Sequence, residues 1–119
     1  MPTQIINTKS AEHYKWGGPH GITCDGWHLV KTANLSIIVE LIPLGASEVR
    51  HSHVHARQFF YVLEGELTLE VEGHESILRT GDGLEISPGQ RHQATNRGVE
   101  PVRILVTSQP PSHGDRVLA

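Results

Sequence analysis

The sequence holds one cysteine, Cys24, so no disulfide can form within the chain, and no motif around that residue marks a thiolate catalyst. It has no apolar run long enough to span a membrane and no signal-peptide pattern after Met1-Pro2-Thr3-Gln4. A cytoplasmic, reducing setting without a membrane partner is therefore expected, and there the sequon match Asn34-Leu35-Ser36 is fortuitous. Charge of one sign never accumulates. Ten Lys plus Arg stand against thirteen Asp plus Glu for a formal net charge of −3, and the basic residues are scattered singly. No stripe exists to follow a phosphate backbone, so nucleic acid is not an expected partner. A Gly-x-Ser-x-Gly elbow is missing, which disfavours covalent catalysis, and Gly81-Asp82-Gly83 lacks the third glycine and the helical context of a phosphate-cradling loop. Internal repeats and low-complexity segments are absent as well.

Helical periodicity is scarce, whereas short β-rich runs punctuated by Gly, Pro and Asn recur from about Trp27 to Ser108. The pattern predicts an all-β fold with strands at Trp27–Lys31, Leu35–Ile42, Glu48–His53, Phe59–Glu64, Glu66–Val71, Ser76–Arg79, Leu84–Ile86, His92–Asn96 and Val102–Thr107. Glu64-Gly65-Glu66 and Glu72-Gly73-His74 put glycines where hairpins must turn. Leu67, Leu69 and Val71 alternate with Thr68, Glu70 and Glu72, as in a strand with one wet face. By contrast, Phe59-Phe60-Tyr61-Val62-Leu63 is apolar on both parities, so both faces are expected to be covered, one by the barrel interior and the other by a second sheet or a partner subunit. At 119 residues the chain is expected to form a single domain over 1–119, with a barrel core at about 27–108. Residues 1–26 are read as an N-terminal arm packing locally. Residues 109–119 are read as a tail that Pro110-Pro111 prevents from continuing a strand.

Two histidine-bearing stretches carry the chemistry. The first runs from Gly45 through His51-Ser52-His53 and Gln58 to Gly65, and the second from Gly81 through Pro88-Gly89 and His92 to Asn96. Two histidines at i and i+2 on a strand point the same way, and imidazole is the commonest protein ligand for borderline divalent metals. Gln58 starts the next strand after a tight connection, and His92 opens another, so four donors can converge at one end of a barrel. Three neutral imidazoles and an amide oxygen leave the dipositive charge of a metal undiminished. Such an ion polarises a bound oxygen strongly.

These residues resemble the cupin family, small jelly-roll barrels built on a double-stranded β-helix and marked by two motifs. The motif Gly-x5-His-x-His-x3,4-Glu-x6-Gly maps onto Gly45, His51, His53 and Gly65, with Gln58 where the family usually has Glu. The motif Gly-x5-Pro-x-Gly-x2-His-x3-Asn maps onto Gly81, Gly89, His92 and Asn96, with Ser87 where the family usually has Pro. The resemblance implies an all-β jelly-roll barrel holding a divalent metal, zinc, nickel, iron(II), manganese or copper, on His51, His53, Gln58 and His92. It also implies a homodimer, with which the doubly apolar run is compatible, although an N-terminal strand packed outside the barrel would bury the same residues. The three-histidine, one-glutamine set is similar to that of pectin-degradation cupins, which help convert unsaturated uronates to linear keto sugars. A glutamate at position 58 can serve as ligand and base in cupin dioxygenases. An amide cannot accept that proton, which weighs against oxidative chemistry. Gln58 itself is either a metal ligand or a hydrogen-bonding neighbour of the site.

A base must then come from elsewhere. Glu40 shares a mixed face with Ser36, Ile38 and Ile42 and enters the cavity if that face lines it; otherwise it is an exposed or salt-bridged strand residue. Arg103 interrupts the apolar run Val102–Val106 and is either a bidentate partner for a substrate carboxylate or a solvated side chain. His55 is placed at the cavity mouth, with a fifth-ligand role as the alternative. Asn96 is expected to fix a turn. His113, Asp115 and Arg116 either cover the mouth or lie in solvent. The resulting expectation is an enzyme using its metal as a Lewis acid on a small oxygenated, sugar-derived metabolite for isomerisation, hydration or elimination. The alternatives are a metal-dependent dioxygenase and a non-catalytic small-molecule binding module.

Overall fold

The computed structural model describes residues 3–119, so the first two residues of the expected arm lie outside it. Eleven strands run in chain order: β1 (Glu12–Gly17), β2 (Thr23–Lys31), β3 (Ser36–Ile42), β4 (His51–His53), β5 (Arg57–Glu64), β6 (Glu66–Val71), β7 (His74–Arg79), β8 (Gly83–Ile86), β9 (His92–Thr95), β10 (Val102–Gln109) and β11 (Arg116–Leu118). They form a six-stranded sheet in the order β1-β2-β3-β10-β5-β8 and a five-stranded sheet in the order β11-β4-β9-β6-β7. All pairings are antiparallel, giving the expected jelly-roll barrel. Among the described residues no helix is long and apolar enough to cross a membrane.

Side chains of one parity fill the space between the sheets. Val102, Ile104 and Val106 of β10 are buried with Ile42, Phe60 and Val62, and Leu67 and Leu69 meet them from the other sheet. Burying one such aliphatic side chain contributes roughly 1.5–3 kcal/mol, so this inner layer is the main support of the two walls. Gly65 closes the β5–β6 hairpin at φ 97° with its α-carbon pressed against the next strand, and a Cβ there would lie 2.9 Å from the Pro101 carbonyl oxygen. Both the positive φ and the close approach require glycine.

Three expectations need correction. The segment read as an arm supplies β1 and the start of β2, which pair from Glu12↔His28 to Gly17↔Thr23, so the strand array begins fifteen residues before Trp27. Its sequence pattern is short, and the register with β2, rather than local periodicity, makes it a strand. The tail also returns to the sheet. Pro110-Pro111 follow the end of β10, but beyond them Arg116–Leu118 pair with His53–His51 of β4. Of the two covers expected for the doubly apolar run, this chain supplies the barrel interior: Phe60 and Val62 are buried, while Phe59 is 42% and Leu63 38% exposed within this chain, so no second sheet of its own covers the outer face. Third, strand β4 is shorter than expected: it spans only His51–His53, and residues 48–50 form an irregular segment before it that still bonds to Ala94 and Ala119.

The tail is anchored by one carboxylate. Asp115 accepts hydrogen bonds from the backbone N–H groups of Val54, His55 and Ala56 at 2.8–3.0 Å, in the connection between β4 and β5. Burial opposes ionisation of Asp115, but the amides of Ala56, His55 and Val54 outweigh it and hold its carboxyl below the usual range. A carboxyl depressed in the folded state contributes stability above its unfolded pKa of about 4 and loses that contribution as pH falls through the folded value. Asp115→Ala is expected to lower stability by about 1–3 kcal/mol at neutral pH. Denaturant unfolding should show that difference shrinking in acid; an unchanged midpoint at pH 7 would contradict it.

Candidate metal centre and cavity

His51 and His53 stand on the same side of β4, both buried, and His92 at the start of β9 pairs directly across from His51. Ring centroids lie 4.8 Å apart for His51 and His53, 4.5 Å for His51 and His92, and 5.8 Å for His53 and His92. One ring nitrogen from each falls within 4.8 Å of the others, so the three histidines can hold a metal ion. Backbone carbonyls orient two of the rings: His51 Nδ1 donates to Val49 O at 2.6 Å and His92 Nδ1 donates to Gln90 O at 3.0 Å. With the proton on Nδ1, the Nε2 lone pair is left to act as a ligand. Burial lowers both His51 and His53 to about 4 and moves His92 in the same direction. Near neutral pH the rings are uncharged, as ligation requires.

Gln58 opens into the same space from the other sheet. Its register partner on β10 is Ser108, whose Oγ accepts a hydrogen bond from Gln58 Nε2 at 3.0 Å. Gln58 Oε1, His92 Nε2 and His53 Nδ1 are all buried without a hydrogen-bond partner. Buried polar atoms are nearly always satisfied, so unpartnered acceptors in and beside the three-histidine group fit a divalent cation.

A cavity of about 450 Å³ adjoins this cluster, reached by His51, His53 and Gln58. Glu40 of β3 faces it, and its carboxyl accepts a hydrogen bond from the Tyr14 hydroxyl at 3.4 Å. Burial raises Glu40 to about 7, against the lowering effect of Tyr14. Glu48 lines the same cavity, with Oε1 accepting from the Ala94 N–H at 2.9 Å. Burial and the neighbouring Glu40 push Glu48 up to about 8, opposed by the Ala94 amide and by Arg116. The tail closes one side through Ser112, His113 and Arg116.

Arg103 is not brought to this space. Val106 and Ser108 of β10 face the cavity, so the odd positions point outward, and the Arg103 guanidinium carbon sits 5.7 Å from the centre of the Trp27 ring. The cation is thus occupied by an aromatic face on the outer surface. His55 is exposed in the β4–β5 connection and lies outside the histidine cluster. Asn96 is buried and fixes the turn after β9: Nδ2 donates to Ile42 O and Glu100 O, and Oδ1 accepts from Gly98 N–H. Cys24 is buried, and burial pushes its thiol up to about 11, which suits an inert core residue. Glu48, Tyr14 and Trp16 line the cavity without having been singled out for it from sequence, whereas His113 and Arg116 take the first of their two expected places, at the mouth. Glu48 has the opposite parity to His51 and reaches the cavity from the irregular segment before β4.

Residues 38–108, more than half of the chain, match the cupin domain family. The tetracenomycin polyketide synthase protein TcmJ of Streptomyces glaucescens is 36% identical over 72 residues, which are 60% of this chain and 48% of TcmJ, so the match spans about half of that relative's length. A predicted oxalate decarboxylase from Thermotoga maritima superposes with a TM-score of 0.82 at 17% identity, covering 91% of this chain and 100% of that one. KdgF from Halomonas sp. superposes with a TM-score of 0.68 at 24% identity, covering 74% of this chain and 81% of its own. These structures share the barrel. With two sheets rolled around a buried histidine cluster and the domain match extending across both motifs, the chain belongs to the cupin family.

Proposed function

We propose that the protein is an enzyme whose cavity holds a divalent metal on His51, His53, His92 and Gln58 and acts on a small oxygenated, sugar-derived metabolite by isomerisation, hydration or elimination. The observation that carries this reading is the grouping of one ring nitrogen each from His51, His53 and His92 within 4.8 Å of one another, beside a cavity of about 450 Å³ that Gln58 also lines. A bound zinc, nickel, iron(II), manganese or copper ion would supply Lewis acidity toward a carbonyl or hydroxyl oxygen. The protein supplies the remainder. Gln58 cannot take up a proton, so proton transfer falls to Glu40, which faces the cavity and whose carboxyl burial brings near neutrality. Arg116 on the closing tail, rather than Arg103, is the cation placed to attract a substrate carboxylate. The homodimer is proposed with it, formed through the exposed Phe59 and Leu63 and the Tyr61 ring stacked 6.5 Å from Phe59.

Elemental analysis with competitive titration tests the centre. His92→Ala is expected to weaken metal binding by more than about 100-fold, because even the partners that merely orient a ligand typically carry 10–100-fold. Metal retention equal to wild type would sink the reading. Ser108→Ala frees the Gln58 amide to rotate, with an expected loss of about tenfold in affinity and no loss of fold; unchanged affinity would remove Gln58 from the donor set. Oxygen uptake coupled to substrate loss would point instead to a dioxygenase, and ligand binding without turnover to a binding module.

A further inference from the structure

Tyr14, Gly26 and Glu40 occupy three successive cross-strand positions, Tyr14 opposite Gly26 on β2 and Gly26 opposite Glu40 on β3. The missing side chain at Gly26 is the slot in which the tyrosine ring lies: a Cβ there would stand 2.2 Å from Tyr14 Cζ. Across that slot the hydroxyl reaches Glu40 Oε2. From the segment before β4, Glu48 enters the same cavity with one oxygen held by the Ala94 amide. Two carboxyl groups thus line one cavity, each held by a single side-chain or backbone donor, Tyr14 for Glu40 and the Ala94 amide for Glu48.

The other titratable groups there do little to neutralise two negative charges. Tyr14 is pushed upward and stays neutral, and His113 and Arg116 approach from the tail, with Arg116 acting on Glu48. Like charges in a poorly solvated site resist simultaneous ionisation. A separate observation points to a ligand: Gln58, 6% exposed and lining this cavity, has a buried Oε1 with no hydrogen-bond partner.

We propose that Glu40 and Glu48 are the proton-transfer pair of this cavity, one ionised and one protonated, with Tyr14 as a positioning residue, acting on a small hydroxy ketone or hydroxy aldehyde. The ionised carboxylate takes the proton from the carbon bearing the hydroxyl. That C–H electron pair becomes the C=C bond of an enediol, and the carbonyl π pair moves to its oxygen, which receives the proton of the acid partner. The reverse sequence returns a proton to the neighbouring carbon, so the carbonyl moves one position and no oxidant or reductant is consumed. This substrate class rests on the metal-dependent reading above; the shared proton does not.

Infrared titration of the full-length chain, as purified and after zinc loading, tests the pair, with Glu40→Gln and Glu48→Gln chosen because the amide preserves shape. Wild type is expected to keep one carboxylic-acid carbonyl stretch at pH 7 and to lose its two protons in separated steps. Each variant should show one step, about one pH unit or more below the upper step of wild type. Gly26→Ala, which displaces Tyr14, should move the Glu40 step upward by removing a hydrogen bond to the ionised form. Full ionisation of both groups in wild type at pH 7, or single steps unchanged in the variants, would overturn the pair. In deuterated water with dihydroxyacetone as probe, zinc-loaded wild type should incorporate carbon-bound deuterium, and each Gln variant should do so at least about 100-fold more slowly at equal zinc content. No incorporation by the zinc-loaded wild type would overturn the substrate class, and wild-type rates in both variants would overturn the catalytic role. Failure to bind zinc with the infrared pattern intact would sink the metal reading and leave the pair standing.

Discussion

Desolvation of polar groups between the two sheets is the constraint on which the rest of this structure depends. Gln58 Oε1, His92 Nε2 and His53 Nδ1 have left water without gaining a protein partner, and each such group costs about 1–3 kcal/mol. The apolar layer around Ile42, Val62, Leu67 and Ile104 must offset that penalty. The same burial keeps the imidazoles uncharged and brings two carboxyls toward neutrality, so one physical cause prepares both the ligand set and the proton-handling groups. Unequal local bonding then separates their behaviour. The rings donate to the Val49 and Gln90 carbonyls, whereas Glu40 and Glu48 receive only one donor each, from Tyr14 and Ala94.

The histidine cluster was legible in the sequence because its determinants are short-ranged. The spacing of His51 and His53 sets their common side through the period of a strand, and the second motif brings His92 to the neighbouring β9, where it pairs with His51. Gln58 was legible because the connection between β4 and β5 is only a few residues long and keeps it near the histidine pair, although β5 joins the opposite sheet. Glu40 was placed conditionally, on a face that could be recognised as mixed but not as inner or outer. The structure resolves that condition inward.

What escaped the sequence depends on register between distant segments. Tyr14 and Trp16 reach the cavity because β1 adds to the edge of β2, a pairing that local pattern does not encode. The strand β11 escaped as well: it lies beyond a pair of prolines that do interrupt β10 but do not stop the chain from rejoining the opposite sheet, and it decides for the mouth between the two places expected of Arg116. Arg103 failed for the complementary reason. A charged residue within an apolar run signals one wet or cation-binding side, and here that side is the outer one, over Trp27. Parity along β10 was readable, but its sense depends on which face packs inward.

The candidate donors do not all belong to one layer. His51, His53 and His92 stand on the five-stranded sheet, while Gln58 stands on the six-stranded one. An occupant gripped by both would act as a rivet, linking its own affinity to the spacing of the barrel walls. Tight binding would then damp the breathing of the barrel, and any force that pried the layers apart would release the occupant by the same amount of free energy.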